Sequence, residues 1–427
     1  MTTIRMSLLC FILFALPLLT KALFAADWPM FHGADGKNMS PDTGLLTSWP
    51  EGGPTLLWTI SDVGEGAAGY SSITIQNGRL FTTGNRGGRH IVFCFDLDGN
   101  KLWEYANGPA WTRNDPGTRS TPATCGDFVY DLSPLGYLVC LNVETGGRVW
   151  GRNILTDFEA ENIDWGLAES LRIDGDKLFC APGGRRASFV ALNKRTGEII
   201  WTTPSLGENT SYGSPRIIEH EGLRIVAATY SKGLFGVNIE SGELLFRFRH
   251  EHQFNVNATG PIYHEGHIFF SNDWRPHGGP EGMGGGIKLR LTVTGGNFSL
   301  EEVWRSPYVE SSQDNAILLD GVLYVVNHVR RGGAFIAADW STGEILYEGA
   351  RVGRGSPLTW AEGLLYVLSA SGGDMMLVRP NPERFHVISR FGLPERGHGG
   401  FLAHPVVIGQ RLYIRHGNFL YCYDIAR

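Results

Sequence analysis

Residues 189–201 read FVALNKRTGEIIW. Two runs rich in β-branched and aromatic residues, FVAL and EIIW, flank a polar segment. Asn193, Thr196 and Gly197 supply the polar side chains and the positive-φ position of a tight turn, so the stretch predicts a β-hairpin. The same hairpin recurs as VCLNVETGGRVW ending at Trp150, FGVNIESGELLF ending at Phe246 and FIAADWSTGEILY ending at Tyr347. Looser copies are FCFDLDGNKLW ending at Trp103 and LTVTGGNFSLEEVW ending at Trp304. The closing aromatics Trp58, Trp103, Trp150, Trp201, Phe246, Trp304, Tyr347 and Phe391 fall 43 to 58 residues apart. That is the spacing at which four-stranded propeller blades repeat.

Working outward, each hairpin is preceded by a first strand, a turn and an aromatic-rich second strand, as in ITIQNGRLFTTG, LRIDGDKLFCAP and AILLDGVLYVVN. The NG, DG and EG dipeptides are hairpin turn signals. Seven such units start near Tyr70, Arg119, Ala168, Tyr212, Ala258, Gln313 and Arg354. An eighth begins at His404, where HPVVIGQRLYIRHGNFLYCYDI carries three strands and stops. At the other end PTLLWTI, residues 54–60, has the apolar run and closing Trp58 of a last strand with no blade of its own. Joining the two completes the ring and leaves no open sheet edge. The expected fold class is therefore all-β, an eight-bladed propeller over residues 55–427 closed by pairing its N- and C-terminal strands. Residues 27–54, rich in Gly, Pro and Asp, read as an irregular arm. Residues 1–26 read as a secretory signal: Arg5, an apolar run from Leu8 to Leu19, then small residues before Asp27. The expected destination is the periplasm or cell envelope, with no transmembrane segment in the mature chain.

Composition agrees with many short strands and tight turns: 57 glycines, only 19% charged residues and a formal net charge of -6. With no basic run or stripe, nucleic acid is not an expected partner. The mature chain keeps Cys94, Cys125, Cys140, Cys180 and Cys422, an odd number with no CxxC. Cys94, Cys140 and Cys422 occupy one repeat position in different blades and are read as small buried hydrophobes rather than disulfides. Two stretches break the rhythm, Ala106–Ser120 before the second unit and Asp273–Arg290 in the fifth. Each is a place for a binding loop or for tolerated extra length.

The pattern of strand, turn, strand and then ALxxxTGExxW resembles the pyrroloquinoline-quinone (PQQ) type repeat, shared by quinoprotein alcohol dehydrogenases and the non-enzymatic outer-membrane assembly factor BamB. AESLRIDGDKLFCAPGG, YGSPRII, AHPVVIGQRLYIRHGNFLYCYD and the arm DWPMFHGADG are similar to secreted bacterial repeat proteins of the polyvinyl-alcohol-dehydrogenase-like type. The resemblance implies the propeller but leaves catalysis open, since fold and function separate in such superfolds.

Propeller ligands usually sit at the mouth of the central channel, where first strands begin. Aligned at Ile73, Pro122, Leu171, Pro215, Pro261, Ala316, Pro357 and Pro405, the blades place Ser72, Thr121, Ser170, Ser214, Gly260, Asn315, Ser356 and His404 in one ring. Small hydroxyls here suit the backbone groups that crowd around the axis. Larger groups, Glu169, Asp314, Asn315, Arg119, Arg354 and His404, converge on the same mouth, joined by Trp165, Tyr212 and Asn257 from nearby sequence. They form the expected binding site, although Glu169 and Asp314 could equally be carboxylates in structural ion pairs with Arg119 or Arg354. If the resemblance extends to quinoprotein chemistry, it implies PQQ held near Trp165. It also implies Ca²⁺ held by Glu169 and Asn257, with Asp314 as the base that takes the proton of a small alcohol. Against that, the chain has neither a vicinal cysteine pair nor a CxxCH haem site. The expected function is thus a binding or scaffold module for an envelope protein or glycan, with the PQQ- and Ca²⁺-dependent alcohol dehydrogenase as the alternative.

Overall fold

A computed structural model describes residues 27–65, 68–251, 256–272, 284–327 and 332–427. The expected signal at residues 1–26 and most of the Asp273–Arg290 insertion lie outside the described residues. Eight antiparallel blades form the ring, each with its first strand innermost. The innermost strands, such as Arg172–Asp174 of the third blade and Val406–Ile408 of the eighth, are buried, whereas outermost strands such as Thr55–Ile60 are largely exposed. At the inner hairpin turns, positive φ at both central residues of Asn77–Gly78, Glu221–Gly222 and Asp320–Gly321 matches the backbone twist that two-residue hairpins require.

Closure is by the pairing read from the sequence. Thr55–Ile60 runs antiparallel to Phe419–Asp424, with Thr55 opposite Asp424 and Ile60 opposite Leu420. The eighth blade thus has three strands from the C-terminus and its outer strand from the N-terminus.

The repeat signature TGxxxW has a physical cause that spans two blades. The closing Trp of one blade donates its indole N–H to a backbone carbonyl in the hairpin turn of the next. The pairs are Trp58 to Leu97 O at 2.9 Å, Trp103 to Val143 O at 2.9 Å, Trp150 to Lys194 O at 2.9 Å and Trp201 to Ile239 O at 3.2 Å. The indole lies flat beneath that turn's glycine: a Cβ on Gly197 would come within 2.7 Å of the Trp150 ring. Substituting Gly197 by Ala therefore combines a left-handed backbone (φ 74°) with a collision, and the expected cost is about 2–3 kcal/mol. Gly78, equally left-handed at φ 75° but with nothing within 4 Å of its Cβ position, should lose only about 1 kcal/mol. Equal losses in denaturant titrations of the two variants would show that the interblade contact contributes nothing.

The arm, mostly without regular strands, is packed into the ring. Trp28 bridges to Ile75 of the first blade, and Pro29 O accepts from Thr124 N of the second. Met39–Ser40 adds a parallel strand to Trp360 and Ala361 of the seventh blade, and Leu45 bridges to Ala426. Trp28, Leu45 and Trp49 are buried. The arm therefore crosses the face opposite the mouth, and its residues Phe31 and His32 sit on the axis. All five described cysteines are free, four of them buried. No helix among the described residues is long and apolar enough to cross a membrane.

Candidate functional site

The first-strand approaches build the mouth from its backbone outward. Blade by blade, a backbone N–H donates to the next blade's hydroxyl: Ser72 N to Thr121 Oγ1 at 3.0 Å, Thr121 N to Ser170 Oγ at 3.0 Å and Ser170 N to Ser214 Oγ at 2.9 Å. Ser72 Oγ closes towards the eighth blade by donating to His404 O at 2.6 Å. These hydroxyls hold the ring together and are consumed in doing so. At the fifth blade the hydroxyl is missing, because a Cβ on Gly260 would lie 2.6 Å from Ser214 O. Gly260 N itself donates to Asp314 of the sixth blade, which has Asn315 in place of a hydroxyl at the ring position.

Asp314 anchors a buried polar cluster on the axis. Its Oδ2 accepts from Arg216 Nη2 at 3.2 Å, and both side chains are under a tenth exposed. The same Nη2 donates to His32 Nδ1 at 3.0 Å. Arginine can only donate, so His32 accepts there and turns Nε2–H towards His404 Nδ1 at 3.2 Å. His404 passes its own Nε2–H to Gln313 O at 2.8 Å. Both imidazoles are satisfied in the neutral form, and burial first, with Arg216 contributing, holds both below the usual histidine value. Gln313 and Asp314 are both left-handed, at φ 68° and 60°. Such backbone persists only where surrounding contacts over-determine it.

Above the cluster lies a cavity of about 460 Å³, the channel mouth. Trp165 and Tyr212 meet edge to face with ring centroids 6.1 Å apart, and Tyr70 and Phe31 complete an aromatic wall. The Arg119 guanidinium lies 5.5 Å over the Tyr70 ring and 5.6 Å over Trp111, and donates to Asn114, Asp115 and Gly117 carbonyls. Trp165 Nε1 donates to Asp115 Oδ2 at 3.1 Å. The Ala106–Ser120 stretch therefore builds one wall.

Of the expected site residues, Arg119, Trp165, Tyr212, Asp314 and His404 line this cavity. Asn315 is buried beside it, accepting from Ser311 Oγ at 2.6 Å. Arg354 is exposed and is not among the lining residues. Glu169 and Asn257 face away, because the chain alternates at strand entry and it is Ala168, Ser170 and Ala258 that face the cavity. Glu169 Oε1 accepts from Ala181 N at 2.8 Å, and Asn257 Nδ2 donates to Tyr230 O and Ser231 O. The reading of the sequence missed Phe31, His32 and Asn38 of the arm, and also Arg216. One signal was present: the position after the alignment column is Thr74, Ala123, Arg172, Arg216, Ile262, Ile317, Leu358 and Val406, two arginines in an otherwise mostly apolar set.

Glu169 Oε2 and Asn257 Oδ1 are buried without a hydrogen-bond partner, which is what a displaced metal ligand would look like. Yet among the described residues no three His, Cys, Asp or Glu side chains are grouped to share a metal ion. The aromatic wall and Arg119 suit a planar anionic ring such as PQQ; the Ca²⁺ set is not assembled around it. Burial pushes Glu169 up to about 7 from 4.5. A raised carboxyl pKa means that the unfolded chain ionises first, so this group's cost is absent below about pH 4.5 and grows as pH rises to about 7. Glu169→Gln, which keeps the acceptor for Ala181 N, should therefore stabilise the protein at pH 8 by about 3 kcal/mol and change little at pH 4. Denaturant titrations at the two pH values check this, and a destabilised variant at pH 8 would mean that Glu169 is held ionised by a partner.

A family described as the outer membrane protein assembly factor BamB matches residues 28–170 and 164–273, more than half of the chain. The chain belongs to this PQQ-like propeller family. A quinoprotein ethanol dehydrogenase of Pseudomonas aeruginosa is 28% identical over 120 residues, which is 27% of this chain and only 18% of the relative. BamB of Moraxella catarrhalis aligns over 87% of this chain and 97% of its own at 15% identity with a TM-score of 0.54. The quinohemoprotein alcohol dehydrogenase of Comamonas testosteroni aligns over 94% and 80% at 11% identity with a TM-score of 0.63. At these identities the structural likenesses show the fold alone.

Proposed function

We propose that this PQQ-like propeller is an exported binding module of the cell envelope whose ligand, a glycan or a segment of an envelope protein, seats in the mouth cavity. The observation that carries this reading is the state of Asp314. Its two oxygens are engaged by Arg216 and by Gly260 N–H, so it braces the channel floor and is not free to take a substrate proton. The walls around it, Tyr70, Trp165 and Tyr212 with Arg119, are surfaces on which flat rings stack. Membership of a family described as an outer membrane assembly factor supports both the compartment and a non-catalytic role.

The dehydrogenase alternative draws support from the stretch shared with the ethanol dehydrogenase and from the unpartnered oxygens of Glu169 and Asn257. In that case PQQ would supply the oxidant, stacked at Trp165, with Glu169 and Asn257 re-oriented towards Ca²⁺. One titration separates the two. Purified protein is mixed with PQQ, with and without Ca²⁺, while quinone absorbance and dye-linked alcohol oxidation are followed; in parallel, cell-wall glycan fragments and envelope-protein peptides are tested for binding. The expected result is no quinone-dependent turnover, and saturable binding of a glycan or peptide that Trp165→Ala removes. Ca²⁺-dependent quinone binding, with turnover lost in both Asp314→Asn and Glu169→Gln, would establish the enzyme instead.

A further inference from the structure

The face opposite the mouth holds a second, larger cavity of about 750 Å³, roofed by the arm residues Ala34–Lys37. Two buried guanidinium groups line it, Arg172 and Arg216. They lie close together: a Cβ on Gly36 of the arm would collide with Arg172 Nη2 and come within 3.0 Å of Arg216 Cδ. Only one of the two has a counter-ion. Arg216 pairs with Asp314, whereas no ion pair among the described residues includes Arg172.

Arg172 is 3% exposed, yet its contacts are poor. Nη1 donates to Gly33 O at 3.2 Å and lies 3.8 Å from Met30 Sδ. A guanidinium has five N–H donors, and those on Nε and Nη2 of Arg172 have no protein acceptor among the described residues while the group lines the cavity. The cavity is also lined by the carboxylates Asp35, Asp174, Glu219, Glu265, Asp314 and Asp320, but none of them forms an ion pair with Arg172 among the described residues, and Asp314 is taken by Arg216. Asp174 receives both Nη groups of Arg224, at 2.7 and 2.9 Å. Asp35, on the exposed part of the arm, accepts from Lys37 N at 3.0 Å. Burial, then repulsion from Arg216, lowers Arg172 to about 9, which still leaves it charged at neutral pH.

We propose that the arm-covered cavity is a binding site for a small oxyanion, a phosphate, a sulfate or the carboxylate of a small acid, held by Arg172 on its free N–H groups and flanked by Lys37. The planar fork of a guanidinium matches two oxygens of such an anion. Asp35 and Asp174 attract Arg172 without pairing with it, so a direct counter-ion is what the ligand would supply. Asp314 borders both this cavity and the mouth, but the proposal does not rest on what binds at the mouth.

Isothermal titration of purified protein with inorganic phosphate, sulfate and succinate, at pH 7 and constant ionic strength against a chloride reference, tests it. One-site saturable binding of at least one of the three is expected, and which one binds identifies the class of anion. Arg172→Met should weaken that binding tenfold or more. Asp35→Asn, which removes a competing carboxylate at an exposed position and keeps the oxygen that caps Lys37 N, should tighten it severalfold. No binding of any of the three beyond the chloride reference overturns the proposal, and so does unchanged binding in Arg172→Met. Should Arg172→Met fail to fold, Asp35→Asn decides alone, and an affinity no higher than that of the unmodified protein counts against the site.

Discussion

A chain beginning at Ser61 should not yield a soluble, cooperatively melting protein, while one beginning at Asp27 should. The shorter chain loses the outer strand of the eighth blade, whose partners Leu420 to Asp424 then become an unpaired edge. It also loses Trp58, which packs under Gly99 and donates to Leu97 O of the first blade. The seam between the last blade and the first is thereby opened. With the part-buried Trp58 go a whole strand and the buried arm residues Trp28, Leu45 and Trp49, and removing a single buried Trp costs about 3–5 kcal/mol. Net stabilities of folded domains are only about 5–15 kcal/mol, so the loss exceeds what the remaining blades can offset. Size-exclusion chromatography and thermal melting by circular dichroism are the checks. A monomeric Ser61–Arg427 chain with a sharp transition would show that closure is dispensable.

Replacing Arg216 by Met is the point substitution with the largest expected effect, about 3–5 kcal/mol. It leaves the Asp314 carboxylate buried with no cation and takes the donor from His32 Nδ1. The histidine relay to His404 and Gln313 O then loses its starting point. Asp314→Asn should cost less, since an amide oxygen still accepts from Gly260 N and the Arg216 it leaves without a counter-ion keeps Ser214 O, Pro215 O and His32 Nδ1 as acceptors. The double variant Arg216→Met with Asp314→Asn should be more stable than Arg216→Met alone, because no uncompensated charge remains. Chemical denaturation of the three variants tests the cycle. A loss below about 1 kcal/mol for Arg216→Met, the size of an exposed ion pair, would mean that water reaches this pair and that the axis is not sealed.

The blades were legible because each is encoded locally. Phe189–Trp201 states its own strands and turn within thirteen residues, and even the interblade Trp lock repeats often enough to show as a pattern. The mouth was partly legible: the hydroxyl ring and the positions of Trp165, Tyr212, Asp314 and His404 follow once the blades are put in register. The orientation of Glu169 and Asn257 did not follow. Neighbouring positions at a strand entry point to opposite sides, and their partners Ala181 N and Tyr230 O come from second strands.

The arm marks the limit. Its 28 residues show no strand periodicity, and nothing local indicates that His32 will meet Arg216 and His404, which lie 184 and 372 positions away. By itself the amino-acid sequence determined the eight blades, their closure by Leu56–Ile60 on the last blade and the ring of small hydroxyls, since all of these repeat or are complementary along the chain. Only the tertiary structure decided that the arm plugs the channel, that Asp314 is spent on Arg216, and that Arg172 is buried without a counter-ion. Those outcomes depend on which non-repeating groups meet at the axis. Burial there makes every unpaired charge costly, so the partners are chosen by proximity in the closed ring and not by neighbourhood in the chain.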